Sequence, residues 1–260
     1  MTEPAIKRAK RTEGPTHRIG AIEVGMSLID VLAASDAPMQ LKEIAVASGM
    51  APAKAHRYLA SFIAAGMVSQ AGKSGRYDLG PMALRVGVAA LKRFDVIERA
   101  CAGLAGLRDE IRATCFVAAW SDRGPIILRW EDSLRPVTVI VQVGSTMPLL
   151  TSATGRAFLA FLPPARTAKL VDTELAANAV DIDASPSLTE HIIRGTRAAG
   201  LGRTQGDFQV GIEALAAPIF EPLGEMVGAV TALGRGGEFD AALDGAVAQT
   251  LRNYAKNLAS

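Results

Sequence analysis

The chain has 260 residues, 49% of them hydrophobic, and a net charge of +2, which suits two modest domains with buried cores. No apolar run is long enough to span a bilayer, and the start Met1-Thr2-Glu3-Pro4 lacks the apolar core of a signal peptide, so the sequence predicts a cytoplasmic protein without a membrane partner. Cys101 and Cys115 form no C-x-x-C pair and have no histidine cluster around them. They read as buried apolar thiols, which leaves no disulfide framework, zinc site or other cofactor to expect.

Charge is unevenly placed. Residues 1–93 hold 13 Lys/Arg against 7 Asp/Glu, and residues 94–260 hold 15 against 19. A basic front suits a polyanion. Lys7, Arg8, Lys10 and Arg11, in a polar arm over residues 1–15, supply four of its charges, so charge alone decides nothing.

A helical period runs from about Thr16, a candidate cap, to Ala34, and Ser35-Asp36-Ala37-Pro38 breaks it. A short helix follows over Leu41–Ser48, ended by Gly49. Ala51-Pro52 opens a third helix, where proline lacks only an N–H that has no helical partner. Ala55, Leu59 and Phe62 share one face of it, and Lys54, Arg57 and Ser61 another. After Gly66, Met67–Ser69 and Arg76–Leu79 read as two strands joined by a loop with Lys73 at its tip. Helix, helix, glycine turn, helix and hairpin make a winged helix-turn-helix over residues 16–80. Small Ala45 lets its helices cross closely, Gly49 makes the turn, and Met50 plugs the interface. An amphipathic connector helix occupies residues 81–93.

Residues 94–260 alternate between helices and strands. Helices are expected at Val96–Ala113, Gly155–Leu162, Arg166–Leu175, Leu188–Ala199 and Ala241–Leu258. Strands are expected at Cys115–Trp120, Ile126–Asp132, Val137–Val143, Leu215–Phe220 and Met226–Leu233. This predicts an α+β domain built on an antiparallel sheet.

The order of motifs resembles the isocitrate-lyase-regulator (IclR) family over nearly the whole chain. In the first domain the resemblance rests on Leu41-Lys42-Glu43-Ile44-Ala45 with Gly49-Met50, on His56-Arg57-Tyr58-Leu59, and on Gly75-Arg76-Tyr77-Asp78-Leu79-Gly80. In the second it rests on Val143-Gly144-Ser145-Thr146-Met147-Pro148-Leu149, on Thr151 to Ala160, and on Gly211 to Ile219. The resemblance implies an effector-responsive repressor or activator of a catabolic operon, acting as a dimer or tetramer on double-stranded operator DNA, with a GAF-like effector domain. It also implies that Leu149, Thr204, Ala214, Thr231 and Leu233 line one cavity. The sequence departs from the family where Ala51-Pro52-Ala53-Lys54 replaces the usual Pro-Arg-Ser-Thr, where Arg156 replaces a lysine, and where Thr204 replaces a residue that is often acidic.

Candidate DNA-binding residues are Lys54, His56, Arg57 and Ser61 on the third helix and Lys73 and Arg76 on the wing. Arg57 either forks onto a guanine or holds a phosphate. His56 either meets a base or stays solvated, and Arg76 either meets DNA or closes the wing with a salt bridge. In the second domain, Ser152-Ala153-Thr154-Gly155 leads into a helix whose free N–H groups attract an anion; the same residues also suit a plain cap. With Phe208 and the apolar Ala214 and Leu233 nearby, the expected effector is a small carboxylate, aromatic or otherwise hydrophobic. Trp120 and Trp130 either wall that cavity or pack in the core. His17, His56 and His191 share no motif, and no nucleophile elbow or P-loop occurs, so no enzyme is expected. Gly200 to Gly206 only superficially resembles a dinucleotide loop. Two alternatives remain: a ligand-independent DNA-binding protein whose second domain only oligomerises, and a small-molecule enzyme with an appended winged helix.

Overall fold

The computed structural model describes residues 19–72, 75–91, 95–135, 137–177 and 186–258. The chain divides into two compact units, Met1–Ala90 and Leu91–Ser260.

In the first unit, α1 (Gly20–Ala33) buries Leu28, Ile29 and Leu32. Ile19 sits at its N-cap without a side-chain bond, and Thr16 lies outside the described residues. At the start of α2 (Leu41–Ala47) the Gln40 amide donates to Glu43 Oε2 at 2.6 Å, satisfying one donor that the helix start leaves free. Gly49 then adopts φ +66, a left-handed conformation that costs glycine least, and the Met50 amide returns to the Ala45 carbonyl. Pro52 opens α3 (Pro52–Ala64), which buries Ala55 and Leu59 against Ile44 and Ala45. The wing follows as β1 (Val68–Gln70) and β2 (Tyr77–Leu79), antiparallel with Val68 opposite Leu79. Tyr77 is buried, and its backbone pairs with Met39, which ties the wing to the segment before α2. The unit ends in α4 (Pro81–Leu91), whose Leu84, Val86 and Val88 are exposed.

The second unit begins with α5 (Asp95–Ile111) and the hairpin β3 (Thr114–Ser121) and β4 (Gly124–Glu131). Helices α6 (Ala153–Phe161), α7 (Pro164–Ala177) and α8 (Pro186–Ala199) follow. The unit closes with β5 (Gly202–Gln205), β6 (Ile212–Phe220), β7 (Met226–Arg235) and α9 (Ala246–Leu258). The strands form one antiparallel sheet in the order β4-β3-β7-β6-β5. It is buried on both faces. Phe116, Ala118, Ala214, Ala216, Ala229 and Leu233 pack towards α6, α7 and α8. Cys115, Val117, Leu215, Ala217, Val230 and Ala232 pack towards α5 and α9. Strands with two covered faces read as near-continuous apolar runs, and β3, β6 and β7 do, whereas the edge strand β5, Gly-Arg-Thr-Gln, alternates between buried and exposed residues. Both cysteines are free thiols, and burial pushes the Cys115 thiol up to about 12.

Three expectations are corrected. Val137–Val143 is not a strand. Its alternation survives as far as Gln142, with Val139 and Val141 facing a cavity and Thr138, Ile140 and Gln142 exposed, but the segment lies over the sheet rather than extending it. Only beyond it does the chain meet β4, through a bridge between Ile126 and Thr146. A strand at Gly202–Gln205 was not expected from the sequence. The last helix begins at Ala246 rather than Ala241, because the Asp240 carboxylate accepts the amides of Ala242 and Ala246 and holds the intervening chain in turns.

Candidate functional site

On α3, burial of Ala55 and Leu59 turns Lys54, His56, Arg57 and Ser61 outward, and all four are exposed. Ala53, Ala60 and Ala64 of the same helix are exposed as well. His56 Nδ1 lies 3.3 Å from the Tyr77 hydroxyl, which orients the ring without burying it. The Ser61 hydroxyl donates back to the Arg57 carbonyl at 3.2 Å. Arg76 is engaged internally, donating to the Pro38 carbonyl at 2.8 Å and standing 3.6 Å from Glu43. Lys73 lies outside the described residues.

In the second unit a small cavity of about 30 Å³ lies between the sheet, the first turn of α6, the β5–β6 loop and the Val137–Val141 segment. It is lined by Ser152, Ala153, Thr154, Thr204, Phe208, Ala214, Thr231 and Leu233, brought together from four regions of the chain. Leu149 and Gly155 do not line it. Leu149 is buried in the core beside it, and Gly155 faces the Pro148 carbonyl. Phe116, Val139, Val141, Met147, Gln209 and Ile212 complete the wall, and sequence reasoning missed all six. Of the tryptophans, Trp130 stacks on Phe116 at 5.2 Å and Trp120 lies against Phe158, both at the edge of the core rather than in the cavity wall.

The cavity's polar side is built by α6. Ser152 is the N-cap; its hydroxyl accepts from the Gly155 amide at 2.8 Å and donates to the Pro148 carbonyl at 2.6 Å. The first amides of the helix, Ala153 and Thr154, have no acceptor within it. Thr154 and Thr231 share a buried hydroxyl–hydroxyl bond of 2.8 Å, which joins α6 to the central strand β7.

Two carboxylates found only in the structure brace this corner. Glu174 of α7 accepts the amides of Leu149 and Leu150 at 2.7 and 3.0 Å; burial raises its pKa despite those two bonds. Asp207 is pushed up by burial, but the Gln205 amide and the Arg156 guanidinium outweigh that and hold it below the usual carboxylate range. Arg156 points away from the cavity wall and clamps α6 to its surroundings, donating to the carbonyls of Leu150 and Arg203 and to Asp207 Oδ1. A larger open groove of about 800 Å³ at the end of β7 includes Arg112, Arg135 and Arg235. Its carboxylates are occupied, Asp240 by backbone amides and Glu238 by Arg235 at 3.9 Å. Among the described residues there is no cluster of His, Cys, Asp and Glu able to hold a metal, and no helix long and apolar enough to cross a membrane.

Residues 88–260 match the family described as bacterial transcriptional regulator IclR C-terminal, and residues 21–72 match the IclR helix-turn-helix domain. The glycerol operon regulatory protein of Streptomyces coelicolor is 28% identical over 92% of this chain and 96% of its own. The crystal structure of Pseudomonas aeruginosa HmgR is 38% identical, covering 93% of this chain and 97% of its own, with a TM-score of 0.59. An IclR homologue from Microbacterium hydrocarbonoxydans, crystallised with 4-hydroxybenzoate, shares the fold with a TM-score of 0.71 at 16% identity, over 92% of this chain and 95% of its own. The matched relatives are regulators of transcription, not enzymes. With a helix-turn-helix in its first unit and the family's sensor fold in its second, the chain belongs to the IclR family of DNA-binding transcriptional regulators.

Proposed function

We propose that the chain is an effector-gated regulator of a catabolic operon, working in the cytoplasm as a homodimer or tetramer. Residues 16–80 act as the DNA reader, residues 81–93 as the connector, and residues 94–260 as a sensor for a small hydrophobic carboxylate of aromatic type. The observation that carries this reading is the cavity itself: a mostly apolar wall, broken by Thr204, Thr231 and Gln209, that meets the start of α6, where free amides and the helix dipole favour an anion. Ser152 caps the helix and shapes this anion side, while Ala153 and Thr154 present it.

On the DNA side, Lys54 and Arg57 are proposed to meet the duplex, with His56 and Ser61 beside them and Lys73 on the wing. Arg76, held by Pro38 and Glu43, sets the wing's position. The exposed Leu84 and Val88, one turn apart on α4, support association of copies, since neighbouring apolar side chains in water often mark a contact surface.

At about 30 Å³ the cavity has room for roughly one water molecule, so an aromatic acid enters only if the Val137–Val141 cover moves outward. The test is thermal shift of the full chain with a panel of aromatic acids, beside gel shifts on DNA flanking its own gene. A true effector raises the melting temperature in proportion to the logarithm of its concentration and alters operator affinity. Stabilisation with unchanged DNA binding, or specific DNA binding that no acid affects, would sink the gated reading.

A further inference from the structure

We propose that the cover of the cavity is fastened by two side-chain bonds in series: Gln209 latches the Val137–Val141 segment, and Arg156, through Asp207, holds Gln209 in reach of it. All three are then positioning residues of the effector site. The proposal rests on the reading of this cavity as that site.

The cover has few ties of its own. Among the described residues no backbone–backbone hydrogen bond joins residues 137–141 to the rest of the chain. Val139 and Val141 line the cavity, while Thr138 and Ile140 are exposed. The segment's polar tie, among the described residues, is the bond that Gln209 Nε2 donates to the Thr138 carbonyl at 2.8 Å. A carbonyl only accepts, so only the nitrogen end of the amide can make it.

Gln209 itself stands on a loop, residues 206–211, that joins β5 to β6. The backbone secures its ends: the Gly206 amide donates to the Ile212 carbonyl at 2.9 Å, and the Gly236 amide to the Gly211 carbonyl at 2.8 Å. On the β6 side the Ile212 amide also holds the Gln209 carbonyl, at 3.0 Å. On the β5 side the fastening is Asp207. Its Oδ2 accepts the Gln205 amide at 2.8 Å, and its Oδ1 accepts from Arg156 Nη2 at 2.7 Å. Arg156 is a firm anchor for it. Its Nε and Nη1 donate to the carbonyls of Leu150 and Arg203, and its side chain is only 18% exposed. A charge-assisted bond from a guanidinium held in this way fixes the carboxylate in place as well as attracting it. Gln209 follows Asp207 by two residues, with Phe208 of the cavity wall between them. The path from helix to cover is therefore continuous: α6, Arg156, Asp207, Gln209, Thr138. Loss of Gln209 frees the cover outright, whereas loss of Asp207 acts only by spoiling the aim of Gln209.

The experiment measures how often the cavity of the full chain opens, with no ligand present. Ala214→Cys puts a thiol on the buried floor, where one added heavy atom suits a cavity with room for roughly one water. The half-buried Cys101 is removed as Cys101→Ala. Cys115, fully buried on the other face of the sheet, stays as the reporter of wholesale unfolding. With dilute iodoacetamide, alkylation of each thiol follows the population of the form that exposes it.

The expected result is that Gln209→Met speeds alkylation of the new thiol about tenfold, the order of one hydrogen bond. Asp207→Ala speeds it roughly two- to fivefold, as a partly exposed ion pair should. The two together are no faster than Gln209→Met alone, and Cys115 keeps its rate throughout. Gln209→Glu, which keeps the shape and loses the donor, replaces Gln209→Met if that variant does not fold. An unchanged rate without the Gln209 donor would overturn the latch. Factors that multiply in the double variant would overturn the series, since the two bonds would then be independent braces. Equal acceleration of the new thiol and Cys115 would overturn both, because the substitutions would have loosened the whole domain. The labelling uses no effector, so a failed latch and a failed screen of acids are told apart.

Discussion

The first turn of α6 gives a sharp test through two substitutions of identical chemistry. In Gly155→Ala the new Cβ would stand 1.9 Å from the Pro148 carbonyl oxygen and 2.6 Å from Leu149 Cα. Ordinary contact begins near 3.4 Å, so the oxygen contact is short by about 1.5 Å. The obstructing atoms are backbone, and they are pinned: the Pro148 carbonyl by Ser152, and the amides of Leu149 and Leu150 by Glu174. Overpacking of this kind costs ~3 kcal/mol or more, and the better helix propensity of alanine returns at most ~1 kcal/mol. The net loss is roughly 2 kcal/mol or more, which lowers the sensor's melting temperature by about 4–8 °C. Gly195 in α8 has nothing within 4 Å of its Cβ position, so Gly195→Ala stabilises by up to ~1 kcal/mol through propensity alone. Calorimetry of both variants in the full chain checks the pair. A Gly155→Ala protein melting within a degree of wild type would refute the claim that α6 is seated directly on the Pro148 backbone, and with it the shape of the cavity.

Other consequences follow from the same geometry. Lys54→Ala weakens binding uniformly across DNA sequences and lowers the salt slope by about one charge if the lysine meets phosphate, whereas Arg57→Ala costs ~1–3 kcal/mol of discrimination if it meets a base; a salt series of gel shifts on operator and random DNA separates the two. Ala45→Leu destabilises the first unit by about 1–3 kcal/mol, since Ala45 is buried at the crossing of α2 and α3; loss of helical signal at lower urea is the expected reading. The lowered pKa of Asp207 means that the unfolded chain binds more protons than the native one between the two values. The stability it contributes is complete above its ordinary value of 3.8 and is lost as pH falls through the lower native value. Arg156→Ala should therefore flatten the acid limb of a melting-temperature profile, by less than ~1 kcal/mol because the Asp207 side chain is 38% exposed.

The winged helix was legible because each of its devices is local. Gly49, the Pro52 helix start and the Ala55–Leu59 face each act within a few residues, so periodicity and turn chemistry expose them. The cavity was legible in part: the helix start pointed to Ser152, Ala153 and Thr154, and family resemblance to Thr204, Ala214, Thr231 and Leu233. Gln209 and Glu174 matter through partners 71 and 25 residues away, and no spacing announces such bonds. The segment after β4 misled because Val-Thr-Val-Ile-Val-Gln-Val alternates as a strand does; what decided its path was the covering of an apolar pocket, not a hydrogen-bonded neighbour. The glycines from Gly200 to Gly206 had the outline of a phosphate loop and proved to be three separate fittings. Gly200 ends α8 at φ +65, Gly206 turns the chain at φ +91, and Gly202 lets β5 pass under α6, where a Cβ would lie 2.1 Å from the Ala153 carbonyl. A strand was hidden there because glycine's service to packing looks in sequence like its service to a ligand.

The sheet that floors the cavity has a property that follows from its pleat. Successive side chains of a strand point to opposite faces, and β7 uses both. Thr231 faces the cavity, while Val230 and Ala232, its covalent neighbours, pack with Ile97, Ala100 and Leu104 of α5. Thr231 is thus one peptide bond from residues that pack with α5, the helix that opens the second unit. The floor of the cavity and the seat of α5 are therefore one strand, built by side chains that alternate between its two faces.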